Sequence, residues 1–216
     1  MDWLGYTYDC LLILLLVVSL IRSFKDGVRQ VKYIVVYISF VIFVEFLGIY
    51  FDLVLDRSNT WIYNIYFLAT LLYFSFFFYL SYRQVLLKRI IVIIPFVFLA
   101  IYFLFIPDNF FSLESDFAIK SNLILLFGFI WMCLLYFLDI IVSSDNIQLR
   151  SSFTFWVTMG FFVWSVMVLL RVAGISFFNN HDRLFLFQLA SFTDIINIIT
   201  YSLYLKGLLC LKLPQK

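Results

Sequence analysis

A carboxylate and an amide stand about one helical turn apart near the C-terminal end of the chain, inside a long apolar segment. Asp194 and Asn197 share one helical face with Ala190 and Tyr201, because the spacings between these residues are four, three and four. A second acidic residue, Glu45, lies inside another apolar segment. A carboxylate in such surroundings can pair with a cation, take up a proton or accept hydrogen bonds from neighbouring helices.

The composition gives these carboxylates their significance. Of the 216 residues, 65% are hydrophobic and 13% are charged, and the mean hydropathy is +1.05. Soluble domains are about half apolar and about a quarter charged, so this chain is expected to lie in a lipid bilayer. A charged side chain at the bilayer centre costs roughly 2.5 to 3.5 kcal/mol. We therefore expect Glu45 and Asp194 to face the interior of a helix bundle.

Seven apolar segments are long enough to cross a bilayer, which requires about 20 helical residues. They are residues 4–21, 33–51, 61–82, 90–106, 122–142, 153–173 and 184–207. The predicted fold class is all-α, a polytopic membrane bundle of seven transmembrane helices. We expect residues 1–216 to form a single transmembrane domain with no separate soluble unit.

The distribution of Lys and Arg predicts the orientation. Eleven of the 15 basic residues lie in the first, third and fifth connections or at the C-terminal end, and four lie at the other helix ends and connections. Because basic residues concentrate on the cytoplasmic side, the N-terminus is predicted outside and the C-terminus in the cytoplasm, as in a multi-pass inner-membrane protein. We call the basic residues of the first and third connections the basic surface. It consists of Arg22, Lys25, Arg29, Lys32, Arg83, Lys88 and Arg89.

In this orientation, several polar residues of the spans could line one cavity open to the outside. These candidates are Glu45, Asn64, Arg171, Gln188, Asp194 and Asn197. In such a cavity, Asp194 would pair with a cationic or hydrogen-bonding ligand or take up a proton. The alternative is that each group only hydrogen-bonds a neighbouring helix, at about 1 kcal/mol per bond. Asp139, near the inner end of the fifth span, is expected at the headgroups or beside Arg150.

Several classes of function have no support in the sequence. The three cysteines are far apart and there is a single histidine, so no zinc-binding spacing occurs. No G-x-S-x-G, H-E-x-x-H or phosphate-binding loop is present. We expect no catalytic residue, no metal site and no cofactor; a retinal linkage is excluded because Lys206 lies at the inner end of the last span. The net charge of +2 indicates no direct nucleic-acid binding.

Three stretches resemble a group of small seven-helix membrane proteins of Bacteroidota. They are "NIYFLATLLYFSFFFYL" (64–80), "FTFWVTMGFFVW" (153–164) and "INIITYSLYLKG" (196–207). The resemblance rests on the signature Phe155-Trp156-x-x-x-Gly160 and on Asn197 in the last helix. It implies a membrane sensor or accessory module. The chain departs from the pattern at Thr70, where similar proteins often carry an acidic residue.

Three hypotheses of function follow. The first is a non-enzymatic sensor or relay that passes a change in the outward cavity to a cytoplasmic protein partner through the basic surface. The second is a membrane-permeabilising or accessory effector of a bacterial defence system, such as an RNA-targeting CRISPR locus. The third is a transporter of small solutes or protons, with Glu45 and Asp194 as the coupling carboxylates. The bilayer is a partner in all three, and a homo-oligomer is compatible with each.

Overall fold

The described part of the chain is helical. A computed structural model describes residues 3–26, 29–105, 119–143, 149–177 and 183–211, with the side chains of residues 26, 175–177 and 183–190 left aside. These residues hold seven α-helices and no strand, which confirms the all-α class. The helices are α1 Trp3–Asp26, α2 Arg29–Ile49, α3 Thr60–Ser81, α4 Val85–Leu104, α5 Ile119–Val142, α6 Phe153–Phe177 and α7 Arg183–Cys210. A π-helical turn, Tyr50–Val54, extends α2.

Six of the helices in the described residues, α1 to α6, are long and apolar enough to cross a membrane. The chain is therefore a multi-pass membrane protein. The described residues of α7 do not qualify as a seventh span, and Asp194, Asn197 and Lys206 all lie on this helix. Several helices extend past the spans expected from the sequence, because a helix can continue beyond the hydrocarbon into charged residues.

The helices pack in a ring that follows the chain order. Each helix contacts the next one, α7 returns to α1, and α3 also contacts α5. Consecutive helices run in opposite directions, so Trp156 near the start of α6 meets Lys206 near the end of α7. Alternate helices run in the same direction, so Asn64 near the start of α3 meets Asn122 near the start of α5. The start of α1 therefore lies at the same end of the bundle as the α2–α3 turn, which we call the first end.

Aromatic rings fill the middle of the bundle around α3. The rings of Phe74 on α3 and Phe161 on α6 stack with their centroids 3.5 Å apart and their planes within 7°. Phe129 of α5 lies 5.2 Å from Phe161, and Phe67 of α3 stacks on Phe129. All four rings are buried. Rings of this size bury a large apolar area, so α3, α5 and α6 are joined by a continuous aromatic core.

Glycine allows α6 and α7 to approach closely. A Cβ on Gly160 would lie 2.7 Å from the Tyr204 ring and 3.0 Å from the Thr200 carbonyl oxygen. A Cβ on Gly207 would lie 3.2 Å from the Phe153 carbonyl oxygen. Small residues are the usual means by which membrane helices bring their backbones together. Gly160 of the resemblance signature therefore has a packing role.

Asp139 differs from its sequence-based expectation. It is buried at the end of α5, with 1% of its surface exposed. Its Oδ2 accepts the backbone N–H of Arg83 at 3.0 Å, and its Oδ1 accepts that of Gln84 at 3.1 Å. These amides belong to the turn that opens α4, where the N–H groups have no partner inside the helix. Asp139 thus anchors the α3–α4 turn to α5, and its carboxylate is not exposed to lipid headgroups.

Candidate functional site

A small cavity lies near the first end of the bundle, between α2, α3, α6 and α7. Its volume is about 90 Å³. Two of the helices each contribute three residues at spacings of three and one, which is one helical face. These residues are Val41, Val44 and Glu45 on α2, and Tyr63, Tyr66 and Phe67 on α3.

The other half of the cavity comes from α6 and α7, again from one face of each helix. The lining residues are Trp164, Val168 and Arg171 on α6, and Thr193, Asn197 and Tyr201 on α7. The indole Nε1 of Trp164 donates a hydrogen bond to Asn197 Oδ1 at 3.2 Å. This bond joins the two helices across the cavity wall. A carboxylate, a guanidinium and an amide thus meet in one apolar, aromatic cavity.

Glu45 is held by two tyrosines from different helices. The Tyr8 hydroxyl of α1 donates to Glu45 Oε1 at 3.0 Å, and the Tyr63 hydroxyl of α3 donates to Oε2 at 3.3 Å. The Tyr8 ring also stacks on Tyr201 of α7, with centroids 5.8 Å apart. Each carboxylate oxygen has lone pairs left after one bond, so Glu45 can still accept hydrogen bonds from a bound group. The carboxylate also links α1, α2 and α3 at the cavity.

Gly48 leaves the space that the Tyr63 hydroxyl occupies when it donates to the Glu45 carboxylate. It lies three positions after Glu45 on α2, and a Cβ there would be 2.9 Å from the Tyr63 hydroxyl oxygen. The Gly48 carbonyl accepts a hydrogen bond from Asn59 Nδ2 at 3.3 Å, which fixes the turn before α3. The absence of a side chain at this one position therefore sets where the Tyr63 hydroxyl lies.

Other charged groups lie close to Glu45. Asp9 and Asp194 both lie within electrostatic range of Glu45. The guanidinium of Arg171 lies within range of Asp194 and of Tyr63. Of these charged groups, the Glu45 carboxylate and the Arg171 guanidinium line the cavity itself.

One hydrogen-bond donor of the Arg171 guanidinium, the Nε–H group, is buried. Its Nε has no hydrogen-bond partner among the described residues. A buried donor left unpaired carries a penalty of about 1 to 3 kcal/mol. An acceptor atom on a bound molecule or a water in the cavity would remove that penalty.

Aromatic side chains close the cavity on the side that faces the bundle centre. Phe67 and Trp164 line the cavity itself, and the buried rings of Phe74, Phe129 and Phe161 pack behind them. We call these five residues the aromatic floor. The centroid of Phe161 lies 6.0 Å from that of Trp164 in a stacked arrangement. In the described residues, packed rings occupy the path from the cavity toward the opposite end.

The structure brings together some of the sequence-predicted candidates and separates others. Glu45, Arg171 and Asn197 line the cavity, and Asp194 lies within electrostatic range of the first two. Asn64 is fully buried elsewhere, where its Oδ1 accepts a hydrogen bond from Asn122 Nδ2 at 3.1 Å. Gln188 lies outside the residues whose side chains the structure describes.

The basic surface lies at the end of the bundle opposite the cavity. Arg22, Lys25 and Arg29 flank the α1–α2 connection, and Lys32 follows in the first turn of α2. Arg83, Lys88 and Arg89 belong to the α3–α4 turn and the start of α4. Arg22 and Lys88 are partly exposed and the other five are exposed. Their exposure leaves them accessible to a partner or to lipid headgroups.

Sequence reasoning missed Tyr8, Tyr63, Phe67 and Trp164. Tyr63, Tyr66 and Phe67 recur at helical spacing on α3, and Trp164 and Arg171 are two turns apart on α6. These patterns are present in the sequence, but aromatic residues are so frequent in this chain that spacing alone does not single them out.

Comparison of the chain with protein-family models, with curated proteins and with solved structures found no match.

Proposed function

We propose that the chain is a non-enzymatic sensor of the bacterial inner membrane that binds a small ammonium-bearing solute in the cavity around Glu45. The observation that carries this proposal is the Glu45 carboxylate, held by two hydroxyl donors inside an aromatic cavity. Carboxylate oxygens accept hydrogen bonds from an ammonium group, and the faces of aromatic rings attract cations.

The size of the cavity limits the ligand. Its volume of about 90 Å³ is room for roughly three water molecules, whereas sites for drug-sized molecules have roughly 300 to 1,000 Å³. The solute therefore has only a few non-hydrogen atoms. An acceptor group on the same solute would suit the unpaired Nε of Arg171.

Orientation and the seventh span belong to the proposal. The Lys/Arg asymmetry supports an N-terminus outside and a C-terminus in the cytoplasm, with the cavity toward the outside. The close packing of α7 against α6 and α1 supports a seventh span, because interior contacts shelter the polar face of α7 from lipid. The resemblance to seven-helix sensor-type proteins of Bacteroidota remains a prediction that agrees with this arrangement.

The aromatic floor favours sensing over permeation. A channel or transporter needs a continuous or alternately opened path, whereas here buried rings fill the bundle behind the cavity. Binding would instead act on the contacts that meet at Glu45, which join α1, α2 and α3. A ligand shifts such an arrangement by its difference in affinity for two states of the bundle, and the basic surface would present the change to a cytoplasmic partner.

Ligand-dependent stability tests the proposal. Methylammonium at 100 times its dissociation constant should stabilise the purified protein by about 2.7 kcal/mol. Acetate, which lacks the ammonium group, and tetrabutylammonium, which exceeds the cavity, should leave the unfolding temperature unchanged. Glu45→Gln should abolish the methylammonium effect. Stabilisation that survives in Glu45→Gln would contradict the proposed site.

Uptake into liposomes separates sensing from transport. Protein reconstituted into sealed vesicles should give no uptake of labelled methylammonium above that of empty vesicles. Uptake that depends on Glu45 would overturn the sensor hypothesis and favour the transporter, while leaving the binding site intact. Leakage of an unrelated dye would instead favour the permeabilising effector.

A further inference from the structure

A groove runs between α3 and α4 on the outside of the bundle, remote from the Glu45 cavity. Its apolar part has a volume of about 310 Å³, with Leu72 and Phe76 on one wall and Pro95 and Phe96 on the other. A second part of about 410 Å³ adjoins it toward the α3–α4 turn. Both parts share Tyr79 and Val92, so they form one continuous groove.

The apolar part of the groove exposes few polar atoms. Ser75 turns its hydroxyl into the bundle, where it donates to the Leu71 carbonyl at 2.7 Å and contacts Met132 Sδ at 3.4 Å. Pro95 has no backbone N–H, so α4 lacks one helical hydrogen bond at this point. Side chains of Phe76 and Phe96 are exposed on either side of the groove. The long axis of the groove is therefore suited to a hydrocarbon chain.

Two basic residues line the end of the groove nearest the α3–α4 turn. They are Lys88 and Arg89, and neither forms an ion pair within the described residues. Asp139 approaches this turn, but its oxygens accept the backbone N–H groups of Arg83 and Gln84. Among the described residues, no acidic side chain is therefore paired with these two positive charges, which can bind an anionic group.

We propose that this groove binds an anionic phospholipid, with its phosphate at Lys88 and Arg89 and one acyl chain between α3 and α4. Basic pockets at the cytoplasmic ends of membrane helices are suited to such headgroups, and the Tyr79 ring lies at the junction, where an amphipathic aromatic side chain meets the interface. A free phosphate would use only the basic end, and a protein partner would not need the apolar part. A phospholipid fills both parts, and this assignment is independent of the ligand of the Glu45 cavity.

Lipid binding to the unaltered protein gives the first test. Native mass spectrometry should show phosphatidylglycerol retained at least about tenfold more strongly than phosphatidylcholine of the same acyl chains. Glycerol 3-phosphate at the same concentration should not displace the lipid. Equal retention of the two lipids, or displacement by glycerol 3-phosphate, would overturn the proposal.

Two variants and a charge-matched control locate the site. Lys88→Gln with Arg89→Gln should weaken phosphatidylglycerol binding roughly tenfold. Lys25→Gln with Arg29→Gln removes the same charge from the other basic turn and should leave binding unchanged. Val92→Trp, which fills the shared middle of the groove, should weaken both lipids because the acyl chain loses its place.

Each alternative outcome contradicts the assignment. Equal losses of phosphatidylglycerol binding in both double variants would show that binding depends on net charge at the membrane surface and not on Lys88 and Arg89. Full binding in Val92→Trp would show that the acyl chain does not lie in the groove and that only the phosphate contacts the protein. Circular dichroism and gel filtration confirm that each variant is folded, and the measurements on the unaltered protein decide the proposal if a variant is not.

Discussion

Tyr63 reaches Glu45 across Gly48 of α2, where a side chain would block its hydroxyl. The Tyr63 hydroxyl oxygen lies 3.3 Å from Glu45 Oε2, and a Cβ on Gly48 would lie 2.9 Å from that same hydroxyl oxygen. The hydrogen bond between α2 and α3 thus depends on the absence of a methyl group one turn away. This dependence makes the arrangement around Glu45 testable by a small substitution.

Gly48→Ala should displace the Tyr63 hydroxyl and weaken its bond to Glu45. We expect a loss of about 1 kcal/mol in the free energy of unfolding, measured by thermal unfolding in detergent. Gly174→Ala on α6 is the control, since a Cβ there would meet no atom of the described residues within 4 Å. Alanine is favoured over glycine within a helix, so this control should be neutral or slightly stabilising. Equal destabilisation by both substitutions would argue against the Tyr63 contact.

Tyr8→Phe removes the other hydroxyl that binds Glu45. In the unaltered background, we expect a loss of about 1 kcal/mol in the free energy of unfolding. In a Glu45→Leu background, where the acceptor is gone, the same substitution should have a markedly smaller effect. A double-mutant cycle with these variants measures the coupling directly. A coupling energy near zero would mean that the 3.0 Å contact does not contribute to stability.

Asn64 and Asn197 should behave differently although the sequence suggested one shared cavity for both. Asn64→Leu breaks the buried pair with Asn122 and should lower the unfolding temperature while leaving the methylammonium affinity unchanged. Asn197→Leu removes the acceptor of the Trp164 indole at the cavity wall and should lower that affinity. Calorimetric titration of both variants provides the comparison. Loss of binding in Asn64→Leu alone would place the ligand between α3 and α5 instead.

Asp139→Leu should destabilise the protein more than most single changes. Two partly buried backbone N–H groups of the α3–α4 turn would lose a charged acceptor, and a hydrogen bond to a charged group contributes about 1.5 to 3 kcal/mol. Asp139→Asn keeps one carbonyl acceptor and should fall in between. Asp52→Asn, on an exposed residue, should have little effect on the unfolding temperature. If Asp139→Leu unfolds at the same temperature as the unaltered protein, the turn has another anchor.

The sequence predicted the helical class and the position of Glu45 toward the bundle interior, because both follow from the energetics of lipid burial. It also placed Asn197 and Tyr201 on one face of the last helix, and both line the cavity. The partners of Glu45 were not predictable, because Tyr8 is 37 residues away and helices that are apolar on every side do not reveal which face meets which neighbour.

The expected position of Asn64 shows a different limit. Residues two positions apart on a helix point in nearly opposite directions, so Asn64 could not share one face with Tyr66. Tyr66 lines the cavity, whereas Asn64 turns toward Asn122 of α5. Asp139 was misjudged for a related reason. Its depth near a span end suggested headgroups, while the amides that bind it belong to a turn that is distant in sequence.

The most direct test of the outward ammonium site is cysteine labelling at Val168, which lines the cavity on α6. In a Cys10→Ser, Cys210→Ser background, we expect Val168→Cys in intact spheroplasts to react with 2-aminoethyl methanethiosulfonate. Val157→Cys, buried on the same helix toward the opposite end, is the control and should not react. Methylammonium should slow the reaction at Val168→Cys, and Glu45→Gln should abolish this protection. Labelling only after the cytoplasmic side is exposed, or protection that persists without the Glu45 carboxylate, would contradict the account.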